Sequence, residues 1–414
     1  MSITKRLLLA GAVAIIAAPA FAQVKLATPE SVGFSASGLK ALDGEMHALV
    51  DQPKLAGVVT LVARHGKVVH FDAYGAQDAV SKAPVKTDTI FRIASMTKPI
   101  TGVAMMQLYE QGKWKLDDPV SKHIPAFAGL KVKAAGNATV AQAQPMTMAQ
   151  LMSHTAGFDV SAGYEGANLS ETDLQGMVDK LAKMPLASQP GTDWAYGPVV
   201  NIQGYIVEKL SGKSLDRYFQ DNIFTPLGMK DTQFWADPSK VARISSVHTY
   251  DPAGKIVLAS PPGRVQTTPP RFLAGSGGLY STAEDYWRFA QALLNGGELD
   301  GRRILKPETV KLMRRDVLRP GVGLDLYGPV QQGVGFGMDF AVLRDPAAAR
   351  SPQGVDSYWW GGAFGTWFWI DPTNDVVFVG MIQNLRGSVP GGGTPDVRGI
   401  TPRVVYQALT DRSK

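Results

Sequence analysis

Ser95 and Lys98 are the residues whose types and spacing best suit chemistry, because they form the pattern S-x-x-K. On a helix this spacing places both side chains on one face, close enough for the amine to take or relay the hydroxyl proton. Pro99 follows, and near a helix start its missing N–H removes a bond that this position does not make. The pattern predicts a serine nucleophile at a helix N-terminus, where the backbone N–H of Ser95 and the helix dipole stabilise an oxyanion.

Spacing alone does not single out Ser95, because Ser2/Lys5 and Ser37/Lys40 repeat the pattern. The alternative is a serine that caps a helix and a lysine that lies on the surface. A second candidate nucleophile, Ser276, lies in the sequence Ala-Gly-Ser-Gly-Gly, which approaches the G-x-S-x-G elbow of another hydrolase class. No histidine follows it, and the next helix signal comes only at Ser281, so Ser276 is predicted to be a turn residue.

The histidines do not form a recognisable metal site. They are dispersed along the chain and H-E-x-x-H does not occur, so we predict neither a metal nor another cofactor. His154 follows a helical pattern and is predicted to be structural. The six positions are His47, His65, His70, His123, His154 and His248.

Composition restricts the class of protein. The chain has no cysteine, which excludes disulfides, thiolate metal sites and a cysteine nucleophile. Its formal charge is +6 without a basic run, so nucleic-acid binding is not expected. With 414 residues it exceeds what one hydrophobic core usually fills, which favours two interleaved subdomains. Nothing in the sequence indicates the oligomeric state.

The first 22 residues have the pattern of a secretory signal peptide. Lys5 and Arg6 precede an apolar run that begins at Leu7, and small residues at Ala20 and Ala22 fit cleavage after Ala22. The run is too short for a membrane span, and no later stretch is long and apolar enough to be one. We predict an exported protein, periplasmic or secreted, without a membrane span.

Alternating apolar residues toward both ends of the chain predict a β-sheet. The stretch 57–74 is typical of a β-hairpin, and a short apolar stretch follows at 89–93. Aromatic and β-branched residues return at 357–370 and 376–383, where strands are predicted to close the sheet. A final helix near 404–409 is predicted to cover it.

The part of the chain between these strands is mainly helical by pattern. Apolar residues at helical spacing follow Ser95, and Gly112 is predicted to end that helix. Ser281-Thr282-Ala283-Glu284 has the spacing of a capping box, which predicts another helix from Ser281. Further helical patterns cover three stretches, at 148–153, 174–184 and 199–211.

Three ordered motifs resemble those of the serine β-lactamase and penicillin-binding protein superfamily. They are FRIASMTK at 91–98, LMSHTAG at 151–157 and GGLYST at 277–282. The resemblance runs from about Pro29 to Ala408. Within it, Trp360-Gly361-Gly362 stands where β-lactamases have a Lys-Thr-Gly triplet, and this substitution is similar to that of the family VIII carboxylesterases.

The resemblance implies that Tyr196 is the general base. The superfamily has a tyrosine followed two residues later by asparagine, and Tyr196-Gly197-Pro198 keeps the tyrosine but not the asparagine. The implied base is a phenolate favoured by the nearby Lys98 ammonium, because an opposite charge lowers the pKa of a phenol. The alternative is an ordinary aromatic residue packed beside Trp194.

The same resemblance implies that Trp360-Gly361-Gly362 lines the site. It gives the second oxyanion donor to the backbone N–H of Ala363, beside that of Ser95. A tight aromatic hairpin core is the alternative for this segment, and both interpretations can hold together. The losses of the triplet lysine and of the asparagine at Pro198 favour esters over β-lactams. Arg386 is a candidate replacement for the missing cation, although a solvated arginine is the alternative.

The predicted fold is α+β and β-lactamase/transpeptidase-like, with an antiparallel sheet flanked by helices and an inserted, mainly helical lobe. A signal peptide is expected at 1–22. A discontinuous sheet domain is expected at 23–94 and 269–414, and a helical domain at 95–268. The active site is expected in the cleft between the two domains.

The expected activity is hydrolysis of a small-molecule ester through an acyl-enzyme on Ser95, with Lys98 and Tyr196 moving the protons. Two alternatives stay open. One is a β-lactamase or a D-amino acid peptidase or amidase that uses the same site. The other is a non-catalytic, penicillin-binding-like periplasmic protein.

Overall fold

The computed structural model describes residues 24–158, 172–259, 265–326, 328–385 and 394–412. The predicted signal peptide and Arg386 lie outside the described residues. None of the helices in the described ranges is long and apolar enough to cross a membrane.

Strands from both ends of the chain pair in one sheet. Seven strands form an antiparallel sheet in the order β11-β12-β13-β14-β15-β1-β2, so the first strand lies beside the last. Shorter strands pair outside it, and β3 pairs with β8. The strands are β1 (Gly57–Arg64), β2 (Lys67–Gly75), β3 (Phe91–Arg92), β4 (Lys131–Lys133), β5 (Thr139–Ala141), β6 (His248–Tyr250), β7 (Ile256–Leu258), β8 (Tyr280–Ser281), β9 (Glu298–Leu299), β10 (Arg302–Arg303), β11 (Val334–Phe336), β12 (Ala341–Leu343), β13 (Tyr358–Gly361), β14 (Trp367–Asp371) and β15 (Val376–Met381).

Helices cover both faces of this sheet and form the inserted lobe. Helices α1 and α10 pack together on one face, and α8 packs on the other. In the lobe, α5 contacts α2, α3, α4 and α6. The helices are α1 (Ala36–Asp51), α2 (Thr97–Glu110), α3 (Met148–Met152), α4 (Leu174–Leu181), α5 (Val199–Ser211), α6 (Leu215–Phe219), α7 (Thr225–Leu227), α8 (Ala283–Leu294), α9 (Pro307–Met313) and α10 (Val397–Gln407).

Two hydrophobic cores follow from this layering. The larger core joins the sheet to α8 and the helical lobe, and it includes Met96 and Ile100 from the segment around Ser95. The smaller core joins the opposite face of the sheet to α1 and α10. Because both faces are covered, every position of β1 is buried. The antiparallel sheet flanked by helices, with its mainly helical insertion, confirms the predicted fold class.

Local signals predicted some element bounds and missed others. The helix at 199–211 agrees with α5, whereas α10 begins at Val397, earlier than predicted. The capping box at Ser281 is wrong by one residue, because Ser281 belongs to β8 and the Thr282 side chain caps α8. The stretch 89–93 yields only the short β3, outside the main sheet. The domain limits at 94/95 and 268/269 stay a prediction.

Candidate active site

Ser95 lies in a tight turn immediately before α2. The 3-10 turn Ala94–Met96 leads directly into the helix, so Ser95 lies near its N-terminus, as the S-x-x-K pattern predicts. Ala94 has φ +44°, a left-handed conformation uncommon for a residue with a side chain. The Thr97 hydroxyl donates to the Ala94 carbonyl over 2.7 Å and accepts from the backbone N–H of Leu279 over 3.2 Å. These bonds hold the strained turn in place.

Lys98 is buried and points at Ser95. Its side chain is 2 % exposed, and Nζ donates to Ser95 Oγ over 3.1 Å and to the backbone carbonyl of Ser276 over 2.7 Å. Ser276 is therefore in the site through its backbone, in a turn closed by bonds from Gly277 and Gly278 to the Ala274 carbonyl. The prediction that Ser276 is a turn residue agrees with the structure.

Asn201 also belongs to this site, although no sequence motif predicted it. It lies on α5, is buried, and accepts a bond from the backbone N–H of Ser276 over 2.9 Å. Asn201 thus holds the turn whose carbonyl orients Lys98. The superfamily motif has its asparagine two residues after the tyrosine, whereas Asn201 lies five residues after Tyr196, so the motif does not point to it.

Tyr196 meets Ser95, Lys98 and Trp360. Its side chain is hydrogen-bonded to Ser95, and its hydroxyl accepts from Trp360 Nε1 over 3.2 Å. Lys98 Nζ lies 4.4 Å from the centroid of the Tyr196 ring, over its face. Burial raises the pKa of Tyr196 to about 12, more than the bonds from Ser95 and Trp360 lower it. Burial favours the neutral phenol and so opposes the expected phenolate at rest, which stays a prediction.

His154 lies behind Tyr196, in an aromatic wall. Its ring stacks at 5.7 Å from both Trp194 and Tyr196. Its Nε2 lies 3.0 Å from Asp339 Oδ1, and both side chains are fully buried. Burial lowers the pKa of His154 and raises that of Asp339. This environment agrees with a structural His154, and Tyr196 is both packed beside Trp194 and bonded to Ser95.

The turn after β13 packs against the residues that precede Ser95. The backbone N–H of Gly362 donates to the Thr366 carbonyl over 2.7 Å, and the Thr366 hydroxyl donates to the Ile93 carbonyl over 3.1 Å. A Cβ at Gly362 would lie 2.4 Å from the Ile93 carbonyl oxygen, so only glycine allows this approach. Ala363 is exposed in this turn. The structure thus brings Trp360, Gly362 and Ala363 beside the Ser95 segment.

Arg398 on α10 is a cation of the site that the sequence analysis did not find. Its Nη2 donates to the carbonyls of Gly362 over 2.8 Å and of Thr366 over 3.1 Å. A Cβ at Gly361 would lie 2.6 Å from its guanidinium carbon, so Gly361 makes room for it. No local motif marks Arg398, because it follows the predicted strands on a separate helix.

A cavity of about 230 Å³ opens beside the Ser95 turn. Gly277 is among its lining residues, and a Cβ there would lie 3.7 Å from the Ala94 carbonyl carbon. Three phenylalanines make the walls largely apolar, while Arg92 and Gln266 add polar groups. The lining residues are Arg92, Phe234, Gln266, Pro270, Phe272, Gly277, Gly278, Leu279, Tyr280 and Phe364.

Comparison with known proteins agrees with this geometry. The family model described as Beta-lactamase matches residues 42–397. The chain belongs to the β-lactamase family. Protein Rv1367c of Mycobacterium tuberculosis is 34% identical over 83% of this chain and 90% of its own length. Esterase EstB of Burkholderia gladioli is 32% identical over 82% of this chain and 89% of its own length.

A solved structure shares the fold of this β-lactamase-family chain. EstCE1, described as a hydrolase with promiscuous acyltransferase activity, superposes with a TM-score of 0.74 at 27% identity. The superposition covers 91% of this chain and 99% of EstCE1. The resemblance drawn from the motifs around Ser95, His154 and Gly278 is therefore confirmed at the level of family and fold.

Proposed function

We propose that this chain is a serine carboxylesterase that cleaves small-molecule esters through an acyl-enzyme on Ser95. One observation carries the proposal: the Ser95 hydroxyl lies 3.1 Å from Lys98 Nζ and is also hydrogen-bonded to Tyr196. A serine hydroxyl is a weak nucleophile until a neighbouring group takes its proton. Lys98 and Tyr196 are two such groups beside Ser95. The same chemistry is supported by the esterase EstB and by EstCE1, which is described as a hydrolase.

The proton of Ser95 passes to the pair formed by Tyr196 and Lys98. Because the Tyr196 phenol is neutral at rest, the pair accepts this proton only after it has itself lost one. Lys98 lies against the face of the Tyr196 ring, where a positive charge stabilises a phenolate as it forms. Deprotonated Tyr196–Lys98 is thus the active form, and it is favoured by high pH.

Acylation then forms the bond from Ser95 Oγ to the ester carbonyl carbon, and the carbonyl electrons move to oxygen. The backbone N–H groups of Ser95 and Ala363 donate to that oxyanion. As the tetrahedral intermediate collapses, the alcohol leaves with the proton held by Tyr196 and Lys98. Water repeats the sequence in deacylation, giving its proton to the same pair and releasing the acid.

Two features favour esters over β-lactams. Trp360 replaces a cation that β-lactamases place near the substrate carboxylate, and its indole instead bonds to Tyr196. Pro198 replaces an amide-bearing residue. The largely apolar cavity beside Ser95 suits a hydrocarbon acyl or alcohol group of the ester.

The test is intact-mass spectrometry with turnover, using a p-nitrophenyl ester and, separately, a cephalosporin. Ester turnover with an acyl adduct on the peptide that contains Ser95 supports the proposal. Ser95→Ala should abolish both with an unchanged circular dichroism spectrum, and Ser37→Ala, the same change in the other S-x-x-K of the described chain, should retain them. Reaction with the cephalosporin alone would identify a β-lactamase, and no reaction with either compound would contradict an esterase.

We also propose that the protein is exported, to the periplasm or the medium, after cleavage behind Ala22. The support is the sequence pattern of the first 22 residues. Expression of the full chain in a Gram-negative host and N-terminal sequencing of the exported protein test this. A mature chain that begins at Gln23 supports the proposal, and a protein that stays in the cytoplasm with Met1 intact contradicts it.

A further inference from the structure

A cluster of histidine and aspartate side chains lies between α1 and β2, on the sheet face that turns away from the helical lobe. Asp43 and His47 are one helical turn apart on α1, and His70 and Asp72 are two residues apart on β2. His70 pairs in register with Val62, which belongs to the core under α1 and α10. A helix face and a strand face thus direct these four side chains into one space.

Three of these four side chains place a ligand atom within reach of a single ion. One ligand atom from each of Asp43, His47 and Asp72 lies within 4.8 Å of the others. His47 Nε2 lies 2.8 Å from Asp72 Oδ2. In a tetrahedron with bonds of about 2.0–2.2 Å, ligand atoms are roughly 3.5 Å apart, so small side-chain shifts suffice, and the His47–Asp72 pair would open slightly around the ion.

The hydrogen bonds of the cluster leave one of these atoms unsatisfied. Asp43 Oδ1 is buried and has no hydrogen-bond partner within the described part of the chain. His70, 7 % exposed, faces that oxygen with Nδ1 at 3.6 Å, beyond hydrogen-bond distance. Two carboxylates share this space, so their like charges repel each other. A cation would remove the repulsion and satisfy the unpaired oxygen.

Neighbouring side chains hold the two imidazoles in place. His70 Nε2 bonds to Thr60 Oγ1 over 2.8 Å, which leaves Nδ1 to face the cluster. The His47 ring stacks on Tyr74 with centroids 3.8 Å apart. Such outer contacts fix ring orientation around a metal. The His47 side chain is 29 % exposed and that of Asp72 32 %, so solvent reaches the space between them.

We propose that Asp43, His47 and Asp72 form a binding site for a divalent transition metal ion of the Zn²⁺ type, with His70 beside it. One imidazole and two carboxylates, with water in the fourth position, are donors that Zn²⁺ accepts in tetrahedral sites, whereas Ca²⁺ and Mg²⁺ prefer oxygen alone. The ion cross-links α1 to β2, which is an edge strand of the main sheet. Because Ser95 lies on the opposite face of the sheet, the ion stabilises the fold and takes no part in ester cleavage.

The experiment measures Zn²⁺ binding to chelator-treated, full-length mature protein by calorimetric titration and thermal unfolding. We expect one ion per chain and a Tm higher by several degrees with Zn²⁺ but not with Ca²⁺ or Mg²⁺. Asp43→Asn and His47→Gln should each weaken binding by at least tenfold, because each removes a ligand. The near-UV circular dichroism spectrum shows independently that both variants fold.

His65→Gln is the matched control. His65 also pairs with an aspartate, Asp375, over 2.6 Å, but at the exposed hairpin turn and outside the cluster. This variant should bind Zn²⁺ as the wild type does. Absence of saturable Zn²⁺ binding, unchanged affinity in both cluster variants, or a larger response to Ca²⁺ would each overturn the proposal.

Discussion

The indole N–H of Trp360 donates a hydrogen bond to the hydroxyl of Tyr196 over 3.2 Å. Trp360 stands where β-lactamases have the lysine of their triplet, and it is 5 % exposed. A neutral donor thus replaces a cation beside the proposed base. This bond lowers the pKa of Tyr196, although burial raises that pKa by a larger amount. In the proposed mechanism the substitution therefore changes how the Tyr196 phenolate is stabilised.

Trp360→Phe should lower kcat for a p-nitrophenyl ester about tenfold, because it removes one bond of about 1–1.5 kcal/mol to the forming phenolate. The alkaline limb of the pH profile should move to higher pH for the same reason. Steady-state kinetics between pH 6 and 10 measure both. Trp369→Phe, which removes an indole from the opposite core, should leave the profile unchanged. An unshifted profile in Trp360→Phe would exclude this role.

Tyr196→Phe should lower kcat by about 10²–10⁴-fold, the usual effect of losing a general base. Thermal unfolding should change little, because the ring and its packing remain. In the wild type, burial raises the pKa of Tyr196 to about 12, so the deprotonated pair is the minor form at neutral pH. Its fraction grows with pH, and kcat/KM should rise through the alkaline range by up to tenfold per unit. Full turnover in the variant would rule out Tyr196 as the base.

Arg398→Met should lower kcat about 10- to 100-fold with little change in KM. The guanidinium bonds to two carbonyls of the turn that carries Ala363. In the proposed mechanism Arg398 therefore positions the Ala363 N–H as an oxyanion donor, and displacing such a donor costs mainly kcat. Arg398→Lys should recover part of the loss. Arg403→Met on the same helix, an exposed residue paired with Glu45, is the control. Equal losses in the two methionine variants would indicate general damage to α10.

Gly277→Val should change the preferred ester size, if the cavity beside Ser95 holds part of the substrate. Valine adds three carbon groups to glycine, and at ~30 Å³ for each water-sized group they fill roughly a third of the cavity. The backbone tolerates the change, because a Cβ meets its first neighbour only at 3.7 Å. We expect kcat/KM for p-nitrophenyl octanoate to fall more than about tenfold and that for the acetate to stay within about threefold. Gly129→Val, in open space, is the control, and equal losses for both esters would contradict the assignment.

Asp285→Asn should remove a pH dependence of stability. Burial raises the pKa of Asp285 from 3.8 to about 7, so the folded state holds this proton more tightly than the unfolded state. The free energy of unfolding of the wild type should therefore fall by up to roughly 4 kcal/mol as the pH rises from 4 to 7. Urea unfolding at pH 5 and 8 measures this. Between these pH values the free energy of unfolding should fall less in Asp285→Asn than in the wild type. In the exposed control Asp325→Asn it should fall as much as in the wild type. An equal fall in all three proteins would refute the prediction.

Patterns within short stretches were enough to predict several elements and the first part of the site. The alternation at 57–74 corresponds to β1 and β2, and the apolar period at 199–211 corresponds to α5. The three-residue spacing of Ser95 and Lys98 places both groups on one side of a helix start. These features depend on neighbours along the chain, so periodicity and spacing are sufficient to identify them.

Contacts between distant segments could not be predicted in this way. The carbonyl of Ser276 meets Lys98 across 178 residues, and Arg398 reaches the Gly362 turn from a helix that carries no motif. The cluster around Asp43 and Asp72 likewise forms only because α1 packs on β2. Burial, which raises the pKa of Tyr196, depends on the same packing. These properties arise from how the sheet and helices pack together in space. Residue types and spacings within a short stretch of chain do not reveal that packing, because it depends on distant segments.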